Sequence, residues 1–301
     1  MPILILKMLK WKGLWKHFDD QVNTLLDLHL HTTYSDGEKT PERLLDELQA
    51  NQVTHFSLTD HDNMAPFELI KRAALQRHMR TVPGIEMSSL YNGSEVHILG
   101  YRFDWKSPDL KAFIKERMDL RKERALLILK ALEKKGFVFD DGDIERVISA
   151  RYVGRPQIAD LLVAYGYVET PGEAFCKELI GDNSSQAVTH QLKPAQEVIR
   201  IIKKAGGLVF LAHPGLFNTQ DSRADGMNKY DLHRFVTFGI DGLEIFHPNH
   251  TKAQIQRYLS IAKRENLLIS MGSDYHKGLY KVNPYACQQV RYLEDVLSWM
   301  E

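Results

Sequence analysis

The run LDLHLHTTYSD, residues 26–36, sets two histidines one residue apart at the end of an apolar stretch. Residues two apart on a β-strand point to the same face, so His29 and His31 can approach one metal ion while Leu28 and Leu30 pack behind them. Ser35-Asp36-Gly37 then reads as a turn that bends the chain back and brings a carboxylate towards the same spot. Alone, a His-x-His pair suits a satisfied strand edge as well as a ligand pair. Its weight comes from recurrence along the chain.

Outward from this stretch, strand and helix patterns alternate. Thr40-Pro41-Glu42 starts a helix, with Thr as cap and Pro in the first turn, that runs to about Ala50. Residues 55–62, HFSLTDHD, read as a second strand ending in a polar cluster, and residues 65–78 as the helix after it. Residues 81–88 form a third strand with Glu86, and residues 95–103 a fourth with His97. After a helix from Pro194, the apolar run LVFLAHP, residues 208–214, ends at His213. GLEIFHP, residues 242–248, does the same with His247, and LLISMGSDYH, residues 267–276, closes the series with Asp274 and His276. Strands alternating with helices predict a parallel sheet, and in a barrel of that kind the chemical groups collect at the C-terminal strand ends. The expected fold class is therefore α/β, a distorted TIM-like (β/α)7 barrel.

Residues 109–191 read differently. Residues 113–135 form a long basic amphipathic helix, with Phe113, Ile114, Met118, Leu126, Leu129 and Leu132 available for an apolar face, and Gly136 stops it. Short helical segments with Gly and Pro breaks follow, and no stretch reads convincingly as a strand. The expected organisation is a helical insert at 109–191 capping the active site, a barrel made of 25–108 and 192–301, and an N-terminal extension at 1–24. The extension is basic and apolar, but its uninterrupted apolar run covers only residues 3–6. A membrane-spanning helix needs roughly 20 such residues, and no small-residue cleavage site follows. The extension reads as a leader to the first strand, with no membrane partner.

Composition narrows the partners. Among 301 residues, 39 Lys and Arg balance 39 Asp and Glu, so the formal net charge is zero. The protein as a whole has no field to draw nucleic acid or anionic lipid, and any anion preference must be local. Cys176 and Cys287 lie far apart and outside any C-x-x-C pattern, which gives no disulfide framework and points to the cytoplasm. Arg117, Arg121 and Arg124 share part of a helical face that is expected to be solvated or, if turned to the mouth, to guide a polyanion, and no aromatic stripe interleaves it as a long nucleic-acid platform would need.

The recurring residues define a chemistry. Histidine nitrogen and carboxylate oxygen together suit borderline divalent ions such as Mn²⁺, Zn²⁺ or Fe²⁺, and the lack of thiolates argues against a zinc-cysteine site. The candidate ligands are His29, His31, Asp36, His61, Glu86, His97, His213, Asp274 and His276. A single four-coordinate ion would leave about five buried ionisable groups unpaired, so two to three ions sharing a bridging carboxylate are expected. Three such ions against three carboxylates leave about three positive charges, a trap for a phosphate dianion. Asp60 and Asp62 flank His61 and are expected to orient metal histidines through the other ring nitrogen. Ordinary core or surface roles are expected for His17, His55, His78, His233 and His250, and a structural one for His190.

The runs DLHLHTTYSDG, TDHD, PGIE, EVHILGY, LAHPG and GSDYH, in this order over about residues 25–282, resemble the PHP (polymerase and histidinol phosphatase) family. The likeness is greatest to its stand-alone metal-dependent phosphoesterases, which include nucleotide phosphatases and 5′-to-3′ exoribonucleases. The resemblance implies a distorted seven-stranded barrel in which His29, His31, Glu86 and Asp274 hold one metal. Glu86, His97 and His213 would hold a second, and Asp36, His61 and His276 a third. It also implies that Arg155, in VGRPQIA at residues 153–159, clamps substrate phosphate with its planar fork. Many relatives carry a histidine where this chain has Gln157. His247, at a strand end, is placed to donate to phosphate, to protonate the leaving oxygen, or to orient a ligand. The implied substrate is a phosphorylated small molecule, nucleotide or short RNA, hydrolysed by metal-activated water. A histidinol-phosphate-type phosphatase, an amidohydrolase and a non-catalytic PHP binding module are the alternatives.

Overall fold

The computed structural model describes residues 24–175, 179–181, 192–217, 226–283 and 290–300. The expected N-terminal extension up to residue 23, and with it His17, as well as Cys176, His190 and Cys287, lie outside the described residues.

β1 (Leu26–Leu30) is buried along its whole length. It pairs in parallel with β2 (His55–Leu58), which pairs in parallel with the short β3 (Arg80–Thr81). A second sheet follows in the order β4 (Gly84–Tyr91), β5 (Ser94–Tyr101), β6 (Leu208–Leu211), β7 (Gly242–Phe246) and β8 (Leu268–Met271). Isolated bridges from Leu30 to Tyr275 and from His61 to Glu86 bring the two sheets together at the ends that carry the histidines.

The two sheets do not close into a barrel, so the fold is mixed α/β and the expected TIM-like closure is not confirmed. The expectation of an all-parallel sheet also fails. β4 and β5 form an antiparallel ladder from Gly84 opposite Tyr101 to Tyr91 opposite Ser94, and β5 is antiparallel to β6. Only β6, β7 and β8 run parallel in that sheet. The cause is the Asn92-Gly93 turn, with φ of 48° and 78°. Two consecutive positive φ values match the twist of an antiparallel hairpin, and Asn-Gly is the pair that adopts them most readily. A parallel crossover would need a connection of about a dozen residues.

Helices cover the outer faces. α1 (Pro41–Ala50) is capped by Thr40, whose side chain accepts from Arg43 N–H, and buries Leu44, Leu45 and Leu48 against Phe56 and Leu58 of β2. α2 (Ala65–Gln76) buries Phe67, Ile70 and Ala74. Between β5 and β6 run α3 (Pro108–Glu133), α4 (Asp141–Ser149), α5 (Arg155–Ala164) and α6 (Pro171–Ala174), with no strand among the described residues of this interval. Leu129 and Leu132 of α3, Val147 of α4 and Ile158, Leu161 and Leu162 of α5 form an apolar cluster of their own. It is distinct from the main core of Ile85, Ile98, Phe210, Leu243 and Ile269, over which α7 (Ala195–Lys204) lays Val198, Ile199 and Ile202. α8 (Lys229–Phe238), α9 (Lys252–Glu265) and α10 (Val290–Met300) complete the order. No helix among the described residues is long and apolar enough to cross a membrane.

Candidate metal centre

The strand period puts His29 and His31 side by side. Their Nε2 atoms lie 3.2 and 3.1 Å from Glu86 Oε2, and 3.3 and 3.2 Å from Asp274 Oδ1. Glu86, on β4, receives further histidines: His97 Nδ1 at 3.0 Å and His213 Nε2 at 3.1 Å on Oε1, and His61 Nδ1 at 3.1 Å on Oε2. Asp36 lies 3.6 Å from His31 Nδ1, 3.8 Å from His61 Nε2 and 3.4 Å from His276 Nε2. All nine residues singled out in the sequence therefore meet at one end of the sheets.

Local backbone explains how they arrive. Gly37 donates to Thr32 O, and a Cβ there would sit 2.3 Å from His31 O, so only glycine lets the turn return Asp36 this closely. Gly272 lies against β1, where a Cβ would be 2.1 Å from His29 Cβ. Asp274 and His213 both hold positive φ, 53° and 24°, a costly conformation for residues other than glycine that concentrates at functional sites.

Three overlapping donor sets result: His29, His31, Glu86 and Asp274; His31, Asp36, His61 and His276; and His61, Glu86 and His97. Within each set the donor atoms lie no more than 4.8 Å apart. His213 joins through Glu86. Buried polar atoms ordinarily have partners. Here His29 Nε2, His31 Nε2, Asp36 Oδ1, His61 Nδ1, Glu86 Oε2 and Asp274 Oδ1 are buried without a hydrogen bond, and they converge. Nitrogen and carboxylate donors left open towards one another fit divalent cations.

The electrostatics agree. Burial opposes charge on His29, but Glu244, Glu86 and Asp274 outweigh it and hold its pKa well above the ordinary range. His31 and His97 are likewise pushed up to about 10 against burial by neighbouring carboxylates, Asp274 and Glu86 for the first and Glu86 and Glu95 for the second. Burial would raise Glu86, yet the surrounding histidines hold it well below its ordinary value. Ionised carboxylates that hold protons this strongly on the neighbouring imidazoles also favour a metal cation in place of those protons.

The residues that orient these donors differ in part from expectation. Glu244 of β7, not singled out in the sequence, lies 2.9 Å from His29 Nδ1, and its other oxygen accepts from His213 N–H at 2.8 Å. Asp60 accepts from Thr32 and from Ser35 Oγ, and Ser35 Oγ is 3.3 Å from His31 Nδ1, so Asp60 reaches the histidine only through the serine. Asp62 orients no histidine. It holds Arg117 Nε at 2.5 Å and Arg121 Nε at 2.7 Å. Asp27 accepts from Ser273 N–H at 2.8 Å and Tyr280 Oη at 2.7 Å, which fixes the segment bearing Asp274. Burial lifts Asp27 to about 6.

A cavity of about 170 Å³ opens beside the centre, with Asp36, His61 and His97 on one side and Arg121, Arg124, Tyr152, Arg155 and Phe175 from the helical segment on the other. Arg117, Arg121 and Arg124 are buried rather than solvated, because Asp62 and Glu95 wait beneath α3. Arg155 Nη2 and Arg124 Nη2 lie 3.3 and 3.4 Å from Glu95 Oε2. Gln157 Oε1 accepts from Gly154 N–H at 2.9 Å and so caps the start of α5. His247 is buried; its Nδ1 accepts from Asn249 N–H, which leaves Nε2 directed at Asp274 Oδ2 at 3.4 Å. His250 has an ordinary structural role, with Nδ1–H donating to Ile245 O and Nε2 accepting from Gly215 N–H.

Known proteins are similar to this chain in sequence and fold. The PHP domain family model matches residues 27–170. A 5′-3′ exoribonuclease of Haemophilus influenzae is 32% identical over 258 residues, covering 83% of this chain and 89% of that protein. A 3′,5′-nucleoside bisphosphate phosphatase of Chromobacterium violaceum is 29% identical over 252 residues, 83% of this chain and 87% of that protein. A solved structure described as an amidohydrolase from Chromobacterium violaceum, with bound sulfate and no metal, superposes with a TM-score of 0.75 at 28% identity over 86% of this chain and 90% of that one. The chain belongs to the PHP family, and within it to the metal-dependent phosphoesterases, hydrolases of phosphoester bonds.

Proposed function

We propose that this protein hydrolyses a terminal phosphate or phosphodiester of a nucleotide: a 3′,5′-bisphosphonucleotide, a nucleoside 5′-monophosphate or a short 5′-phosphorylated RNA. The observation that carries the reading is the convergence of six buried donor atoms that have no hydrogen-bond partner. In this reading two to three divalent ions, Mn²⁺, Zn²⁺ or Fe²⁺, fill that convergence. His29, His31, Glu86 and Asp274 hold one, Glu86, His97 and His213 a second, and Asp36, His61 and His276 a third. Ions so held lower the pKa of water and stabilise charge on phosphoryl oxygens.

The remaining residues bind and orient. Arg155 is the phosphate clamp, supported by Arg124, since both residues line the cavity beside Glu95. His247 steadies Asp274, a role that its 3.4 Å approach and its burial support over proton donation to a leaving group. Residues 109–191 act as an insert that caps the site, a reading supported by their separate apolar cluster and by the cavity residues they supply. The sparse, unpatterned cysteines support a cytoplasmic location.

Nucleotide chemistry is favoured over the alternatives by the names of the relatives, an exoribonuclease and a nucleoside bisphosphate phosphatase. The arginine wall favours an anionic ester over an amide. The test offers a 3′,5′-bisphosphonucleotide, a nucleoside 5′-monophosphate, a short 5′-phosphorylated RNA and histidinol phosphate side by side with Mn²⁺. Turnover of one or more nucleotides is expected; turnover of histidinol phosphate alone would overturn the reading.

A further inference from the structure

Tyr152 lies between α4 and α5 and is 5% exposed. Its ring is accounted for by packing. It stacks on His61 with centroids 6.1 Å apart and planes 18° from parallel, and the Arg121 guanidinium lies 4.7 Å from its centroid. The hydroxyl is not accounted for. Buried tyrosines usually give their O–H a partner, as Tyr101 does with Leu28 O, Tyr91 with Asp231 and Tyr280 with Asp27. Tyr152 Oη makes no such bond among the described residues, yet it is not one of the fully buried atoms left without a partner, so it opens to the cavity that the residue lines with Asp36, His61, His97 and Arg155.

A second feature keeps the ring where it is. Gly154 has φ of −143°, extended backbone that any residue adopts. Its lack of a side chain therefore answers a steric need. A Cβ there would lie 2.9 Å from Tyr152 Cε1 and 3.0 Å from Oη. A phenol ordinarily ionises only near about pH 10, so at neutral pH the hydroxyl keeps its proton and acts as a donor.

We propose that Tyr152 is a further catalytic residue of the phosphoester reaction, its hydroxyl donating a hydrogen bond to a phosphoryl oxygen of the bound substrate. No proton is transferred. The hydroxyl supplies a directed neutral donor between the imidazole side and the arginine side of an anion cavity. The assignment rests on the phosphoester reading above, because a phosphoryl group is the acceptor that such a cavity would hold.

Tyr152→Phe keeps the ring, its stack on His61 and its contact with Arg121, and removes only Oη. In the full chain loaded with Mn²⁺, kcat/KM for the phosphoesters that the native protein turns over should fall about ten- to a hundred-fold. Metal content and Tm should stay unchanged. Inorganic phosphate, titrated calorimetrically into the loaded protein, should bind about five- to ten-fold more weakly to the variant. Unchanged kcat/KM together with unchanged phosphate affinity would overturn the proposal. So would loss of metal, since Tyr152 would then serve only to position His61. A native protein that turned over no phosphoester, yet bound phosphate more tightly than Tyr152→Phe, would keep Tyr152 as an anion donor while overturning the hydrolytic reading.

Discussion

Two buried carboxylates on neighbouring segments, Asp62 and Glu86, joined by the backbone bond from Asp62 N–H to Glu86 O at 2.8 Å, lead different lives. Asp62 is saturated: Arg117 and Arg121 hold both its oxygens at 2.5 to 2.7 Å, and Arg117 also reaches Ser88 O. Glu86 is ringed by five histidines at close range, and still its Oε2 has no hydrogen bond. Burying a charge is costly unless it is paired. The paired carboxylate therefore fastens α3 to the sheets, while the open one marks a place for cations. Glu95 belongs to neither kind, with Arg155 and Arg124 at 3.3 and 3.4 Å from one of its oxygens.

The sharpest way to break this contrast is to remove one carboxylate of each kind. Glu86→Ala or Asp274→Ala should cost at least about a thousand-fold in kcat/KM, together with bound metal, as read by elemental analysis of the purified variants. Asp62→Ala should act on stability instead. It strands Arg117 and Arg121 in the interior and should lower the urea-unfolding free energy by about 3–5 kcal/mol, while folded protein keeps its metal. If Asp62→Ala lost metal at unchanged stability, the contrast would disappear.

A third prediction concerns histidines that belong to neither carboxylate. His55 is buried, and burial, then Arg80, depresses its pKa from 6.5 to about 3. Its folded pKa lies below its unfolded one, so its stabilising contribution is complete above pH 6.5 and is lost as pH falls towards 3. The protonated histidines of the centre have raised pKa values and act with the opposite sign in metal-free protein. A comparison of native protein with His55→Gln isolates the effect: between pH 7 and pH 5 the native chain should lose about 2 kcal/mol more than the variant. An equal slope in both would remove His55 from the account. The smallest effect is expected at Arg155. Arg155→Ala should raise KM and lower kcat/KM by about ten-fold with metal content intact. Metal loss there would show that the residue supports the centre and does not clamp phosphate.

Much of the centre was legible because its signals are local. His-x-His fixes a shared strand face, and an imidazole or carboxylate at the end of a short apolar run has few other reasons to be there. What escaped was set by distant partners. The arginines of α3 looked solvated, since helical periodicity says nothing of Asp62, 55 residues before Arg117, or Glu95, 29 before Arg124. Glu244 did leave a signal, an acid inside the apolar run GLEIF, but its histidine partner is 215 residues away. The hairpin was legible in principle from Asn92-Gly93, and the strand-helix alternation elsewhere masked it. Sheet closure depends on the two seams where Leu30 meets Tyr275 and His61 meets Glu86, and no residue pattern specifies those.

The most direct measurement of the central claim is the number of ions held per chain after loading with Mn²⁺ and exhaustive dialysis, determined by elemental analysis. The shared ring of imidazoles and carboxylates predicts two to three. A value of one or fewer would contradict it, and the open donors around Glu86 would then need another explanation.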